Sequence, residues 1–237
     1  MTLLILAGTG EAQRLAARMA QEGRPCAVWL PEGQRLSLQE WPVPCHRGTL
    51  ASCLSDIAPD AVLDASHPFA GDISQEAARY CADHGLPYLL LRRPEWRAQD
   101  GDRWTHVASD AEAVQHIAPG STVLVASGRE GLAAYAALPA GYIYCRQIGA
   151  PDVPFPLLNG EWLVQQPPFP VEEEVALFRR LGIDWLVLRN AGSARAETKL
   201  SAARILGIHV AMIARPAPPD APSVETEAEA LAWVRDL

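Results

Sequence analysis

The sequence predicts an α/β fold: two Rossmann-like domains with mainly parallel sheets and an inter-domain cleft. Three observations carry this expectation. Short apolar runs alternate with helical patterns along the whole chain, which implies parallel sheets covered by helices on both faces. Small, polar turns stand where several of those runs pass into helices. After "PYLLLRRPEWRAQDGDRW" the pattern breaks, as charged and turn-forming residues follow a buried-looking strand, and this marks a domain boundary.

In chain order, strands are predicted at 2–7, 26–30, 61–64, 87–91, 121–126, 142–146, 184–188 and 208–213. Helical patterns lie between and after them at 11–22, 49–57, 72–84, 109–117, 129–138, 171–181, 195–206 and 226–236. The boundary near residue 95 gives an N-terminal Rossmann-like domain over 1–95 and a C-terminal α/β domain over 96–237. In open α/β sheets ligands sit beyond the carboxyl ends of the strands, so the strand-to-helix turns are where function is sought.

Composition narrows the classes of function. With 49% hydrophobic residues in 237, the chain can bury a substantial core. A formal charge of −8 argues against a nucleic-acid binder. No apolar run reaches the roughly 20 residues that span a bilayer, and residues 1–15 lack a secretory signature, so a cytoplasmic location is the expectation. Five scattered cysteines form no Cys-x-x-Cys pair, and Cys45-His46 with Cys53 is too loose a group for zinc, so no metal is expected. Lys199 is the only lysine among 20 basic residues.

Four turns stand out. Gly8-Thr9-Gly10 leads into a helix whose free amides suit an anion, with Glu11 in its first turn. A phosphate site and a plain tight corner are both open readings, because Gln13 replaces the third glycine of a dinucleotide fingerprint. "LDASHPFAGDIS" (63–74) would project Ser66 and His67 beyond a strand, beside the aromatic Phe69. "VASGREGLAAY" (125–135) presents Ser127, Gly128 and Arg129, and the segment 186–216 presents Asn190, Gly192 and Ser193. At the second strand, Glu32 would suit an adenosine ribose and Arg35 a 2′-phosphate, so NADH and NADPH both remain open.

The spacing of "ILAGTGEA", "DASHPFA", "RRPEW", "QPPFP" and "NAGS…TKLSAARILGIHVAMIARP" resembles the precorrin-6A reductases, pyridine-nucleotide enzymes of cobalamin biosynthesis. The resemblance spans nearly the whole chain. It implies a two-domain enzyme using NADPH to reduce one double bond of a tetrapyrrole-derived macrocycle, precorrin-6A, to precorrin-6B. Gln166-Pro167-Pro168-Phe169 and Arg189 depart from the family pattern, which bears on the shape of the substrate pocket. Two other readings stay open: a cobalt-precorrin-6A reductase, and a non-catalytic dinucleotide- or tetrapyrrole-binding module.

A substrate rich in acetate and propionate groups calls for local cations in an acidic protein. Arg92, Arg93, Arg97, Arg129, Arg146, Arg189 and Arg195 lie at or beside predicted strand ends. Of these, Arg93 and Arg146 are the candidates for the substrate carboxylates, with Phe69, Trp96 and Phe169 to cover the macrocycle. The turn residues Asn190, Gly192 and Ser193 complete the substrate set. The cofactor set is Gly8, Thr9, Gly10, Glu11, Ser66, His67, Ser127, Gly128 and Arg129. Lys199 shares a helical stripe with Ala196, Ala203 and Leu206, so it points toward packed protein and needs an anion. It is the candidate carboxylate clamp or proton donor, with His67 the second catalytic candidate.

Overall fold

The computed structural model describes residues 1–31, 40–139, 141–149 and 151–237. In chain order the elements begin with β1 (Leu3–Ala7), α1 (Gly10–Gln21), β2 (Cys26–Trp29), β3 (Cys45–His46), α2 (Leu50–Ile57), β4 (Ala61–Ala65), α3 (Gly71–His84) and β5 (Tyr88–Leu91). They continue with β6 (Arg103–Val107), α4 (Asp110–His116), β7 (Thr122–Val125), β8 (Tyr142–Gln147), β9 (Gly160–Val164), α5 (Val171–Leu181) and β10 (Trp185–Arg189). The chain closes with α6 (Thr198–Leu206), β11 (His209–Ile213), β12 (Ser223–Val224) and α7 (Glu227–Asp236).

The strands form two six-stranded sheets, ordered β12-β5-β4-β1-β2-β3 and β6-β11-β10-β7-β8-β9. Every described pairing is parallel. Both sheets follow the doubly wound order, in which the strand sequence reverses beside the first strand. The reversal falls between β1 and β4 in one sheet and between β7 and β10 in the other.

Burial on both faces explains why the interior strands read as mainly apolar runs. In β1, Leu3, Ile5 and Ala7 enter one core cluster while Leu4 and Leu6 enter another. The four strands with no counterpart in the sequence reading, β3, β6, β9 and β12, are the four sheet edges. An edge strand has one open side and keeps polar residues, as in β6, where Arg103 and His106 are exposed.

The chain divides into two compact units, Met1–Pro94 with Pro216–Leu237, and Glu95–Arg215. The expected second domain of 96–237 therefore loses its last segment to the first unit. Pairing is the reason: β6 follows β5 in sequence but joins β11, whereas β12 follows β11 but joins β5 through Leu90↔Ser223 and Leu91↔Val224. Helix α7 then seals this return by placing Ala230 and Val234 in the core around β1.

Two helical readings change in detail. The segment expected as a helix over 129–138 holds a 3-10 helix at Leu132–Ala137, and that expected over 195–206 opens as a 3-10 turn at Ala194–Ala196 before α6.

Candidate functional site

In the first unit two turns lie side by side because β1 and β4 are neighbours in parallel register. Thr9 caps α1: its Oγ1 accepts from the Ala12 amide at 3.3 Å and donates to the Ala65 carbonyl at 2.8 Å. One hydroxyl thus fixes the helix start and ties the glycine turn to the end of β4. The amides of Gly10 and Glu11 have no intrahelical acceptor by their position, which leaves a positive helix end at the turn. The charge of Glu11 does not stand alone there. Arg93 Nη1 donates to its carboxylate at 2.8 Å, and Arg14 lies 3.4 Å from it while also pairing with Glu227.

The second turn is held from below. Asp64, fully buried on β4, accepts from the Ser66 amide at 2.9 Å and from the Tyr88 hydroxyl at 2.8 Å. Burial, with the Asp64 charge next in weight, pushes the Tyr88 phenol well above its ordinary range, so it stays a donor. The Phe69 amide donates to His67 Nδ1 at 3.2 Å, which assigns the imidazole proton to Nε2. Ser66, His67, Ser74, Leu91, Arg92 and Pro216 line part of a shallow crevice. Gly71 is required at its wall, since a Cβ there would come within 2.9 Å of Pro216.

The second unit repeats the arrangement at the ends of β7 and β10, where Ala126 N–H donates to the Val187 carbonyl at 2.7 Å. The Ser127 hydroxyl and the Tyr135 hydroxyl both donate to one oxygen of Asp110, at 2.7 and 2.8 Å. Gly128 has φ of 106°, the region glycine favours, and Arg129 is exposed. Arg189 pairs with Glu130 at 2.9 Å. Asn190 is buried and grips the backbone of Trp96, accepting from its amide at 2.9 Å and donating to its carbonyl at 3.1 Å.

Next to these turns, β8 carries Arg146 as its penultimate residue, and the guanidinium meets Glu174 of α5 through two hydrogen bonds of 2.5 and 2.7 Å. The Phe169 ring lies 4.8 Å from the guanidinium carbon. Lys199, half-buried in the first turn of α6, feels both charges. Its amine is lowered from 10.5 to about 8, chiefly by burial, then by Arg146, with Glu174 opposing.

The structure thus brings together Gly8, Thr9, Gly10, Glu11, Ser66 and His67 in one unit, and Ser127, Gly128, Arg129, Asn190, Gly192, Ser193, Arg146 and Lys199 around the strand ends of the other. Three of the expected substrate residues have partners within the structure. Arg93, proposed for the macrocycle, pairs with Glu11 beside the glycine turn. Arg146 gives both terminal nitrogens to Glu174, with side chains 6% and 1% exposed. Trp96 packs against the core of the second unit and does not stand out as an open aromatic face. Glu32 and Arg35 lie outside the described residues. Sequence reasoning missed Glu174, Asp64 and Asp110. For Glu174 a signal existed, because it shares the buried stripe of Leu177 and Phe178 at spacings of three and four.

A family model described as "Precorrin-6x reductase CbiJ/CobK" matches residues 2–235. The "Precorrin-6A reductase" of Rhodococcus erythropolis is 39% identical over 244 residues, covering 99% of this chain and 98% of that protein. That of Rhodobacter capsulatus is 36% identical over 242 residues, covering 99% and 96%. Among solved structures, a chain described as "CobK precorrin-6A reductase" superposes with a TM-score of 0.90 at 35% identity, covering 100% of this chain and 96% of that one.

Proposed function

We propose that this chain, which belongs to the precorrin-6x reductase CbiJ/CobK family, reduces one double bond of precorrin-6A to give precorrin-6B in cobalamin biosynthesis, with NADPH as hydride source. The observation that carries this reading is similarity along nearly the whole of both chains to proteins of that name.

The residues fit a nicotinamide dinucleotide. A glycine turn at a topological switch point opens onto a helix N-terminus, and the acidic residue beside it is neutralised by Arg93 and Arg14. Gly8, Thr9 and Gly10 would hold the pyrophosphate, with Ser66 and His67 on the adjoining strand end. Because Ser127 commits its hydroxyl to Asp110, the third turn offers the Gly128 backbone and the Arg129 guanidinium.

When bound, the cofactor supplies a hydride to one carbon of the double bond. The neighbouring carbon then needs one proton. Lys199 gives it from its ammonium group and recovers one from water, so the reduction balances as one hydride plus one proton added across the bond. An amine near 8 suits that exchange at neutral pH, since it is mostly protonated yet yields its proton readily. His67 Nε2–H is the second donor in the set and lies in the unit with the glycine turn. Phe69, Phe169, Gly192 and Ser193 remain the proposed apolar and small contacts of the macrocycle.

Mixing protein, NADPH and precorrin-6A should consume NADPH absorbance only when all three are present. NADH and the cobalt-loaded substrate in separate arms decide cofactor and substrate preference. NADPH binding without turnover on any substrate would leave a binding module. Lys199→Met should lower kcat roughly 10²-fold with NADPH affinity intact; a rise confined to KM would make it a carboxylate clamp.

A further inference from the structure

We propose that Arg146 and Glu174 are positioning residues for Lys199, an ion pair that withholds the Glu174 carboxylate from the amine and so leaves Lys199 without a salt bridge among the described residues. The inference rests on the reading of Lys199 as the proton donor.

Three elements meet here. Arg146 is the penultimate residue of β8, Glu174 stands in the first turn of α5, and Lys199 stands in the first turn of α6, which packs along α5. The pair is nearly closed to solvent, at 6% and 1% side-chain exposure. Each terminal guanidinium nitrogen takes one carboxylate oxygen, so the two forks are matched and Glu174 has little left to offer a second cation. The Phe169 ring covers the guanidinium at 4.8 Å, and Nε is buried with no partner among the described residues. The guanidinium is therefore locked in one place.

A half-buried lysine ordinarily recovers its lost hydration from a carboxylate. Glu174 is the carboxylate that acts on Lys199, and Arg146 has taken it. Of the other charged groups nearby, Arg204 on α6 is engaged with Asp102, Arg195 is exposed, and Glu197 is half-buried just before the helix. What Lys199 experiences from its neighbours is the charge of a fixed cation and an anion partly cancelled. That is the arrangement of a proton source. A free Glu174 would instead grip the ammonium and keep it charged.

Lys199 is the only lysine, so protein made with isotope-labelled lysine gives a single side-chain amine signal to titrate by NMR in the absence of any ligand. The wild-type midpoint is expected near 8. Arg146→Gln releases Glu174 to the amine, and the midpoint should climb toward the ordinary 10.5. The alkaline limb of kcat should climb with it, so that one pH unit above the wild-type midpoint the variant has several-fold more protonated donor.

Should Arg146→Gln not fold, the double variant Arg146→Met with Glu174→Gln removes both charges while keeping the volume, a replacement that buried pairs often tolerate. Its midpoint should also rise, by less. A midpoint that stays at the wild-type value in a folded variant overturns the proposal and makes the pair purely structural. A midpoint that moves while the kcat profile stays fixed supports the pair's hold on Lys199 and instead removes Lys199 from proton donation.

Discussion

Arg93 Nη1 donates to Glu11 Oε2 at 2.8 Å, carrying a cation from the chain just past β5 to the first turn of α1. The contact joins residues 82 apart in sequence and neutralises a carboxylate at the helix end proposed to receive a phosphate. Arg93→Ala should therefore weaken NADPH binding by about 1–3 kcal/mol and leave KM for the macrocycle nearly unchanged. Adding Glu11→Gln should restore most of the loss. Isothermal titration of both variants checks it, and a double variant no better than Arg93→Ala would place the arginine on the cofactor itself.

Gly10 offers a clean probe of the glycine turn. Its φ is not in the left-handed region, and a Cβ there would meet only the flexible end of Arg14, at 3.3 Å. Gly10→Ala should thus fold with a Tm close to wild type. Its side chain would nevertheless stand where a pyrophosphate must approach the backbone, and NADPH affinity should fall by roughly 1–3 kcal/mol. An unchanged Kd would assign the turn to architecture alone.

Breaking the Arg146 and Glu174 pair from one side strands a charge in a site almost without solvent. Glu174→Ala should destabilise the fold by about 3–5 kcal/mol, read from chemical denaturation. The double variant Arg146→Met with Glu174→Gln should cost far less, and the difference appears as a coupling in a double-mutant cycle. Additive losses would show that the two side chains do not depend on each other.

Lys199 also makes stability depend on pH with a definite sign. Its amine falls to about 8 in the folded chain from an ordinary 10.5. Below about 8 the group is charged in folded and unfolded chains alike, and the full cost of burying that charge is present. Between about 8 and 10.5 only the unfolded chain keeps the proton, so stability gains as pH rises through this window. Lys199→Met removes the cost altogether. Its Tm advantage over wild type should be largest at neutral pH and shrink toward pH 10.5, measured as the difference between the two proteins at each pH. A constant difference would mean that the amine titrates normally.

Much of the fold was legible because interior parallel strands announce themselves. The run Leu3–Ala7 is apolar throughout since both faces of β1 are covered, and β4, β7 and β10 are apolar apart from Asp64, Thr122 and Arg189. The four turns were legible too, as glycine, serine and asparagine mark the places where strands pass into helices. That these turns fall in two adjacent pairs followed once β1 lay beside β4 and β7 beside β10. Individual roles were less legible. Arg146 and Arg93 read as free cations at strand ends, and nothing local indicates that Glu174, 28 residues on, or Glu11, 82 residues back, takes them.

By itself the sequence determined the alternating elements, the parallel sheets, the glycine turn, and a lone lysine on an apolar stripe. These are local properties, set by hydrophobic period and turn chemistry within a few residues. Only the tertiary structure decided that β6 and β12 exchange sheets and that carboxylates distant in sequence claim the arginines. The reason is physical: the open edge of one parallel sheet presents the same row of backbone donors and acceptors as the other. Long-range packing, with Ala230 and Val234 of α7 joining the core around β1, settles which strand fills which edge.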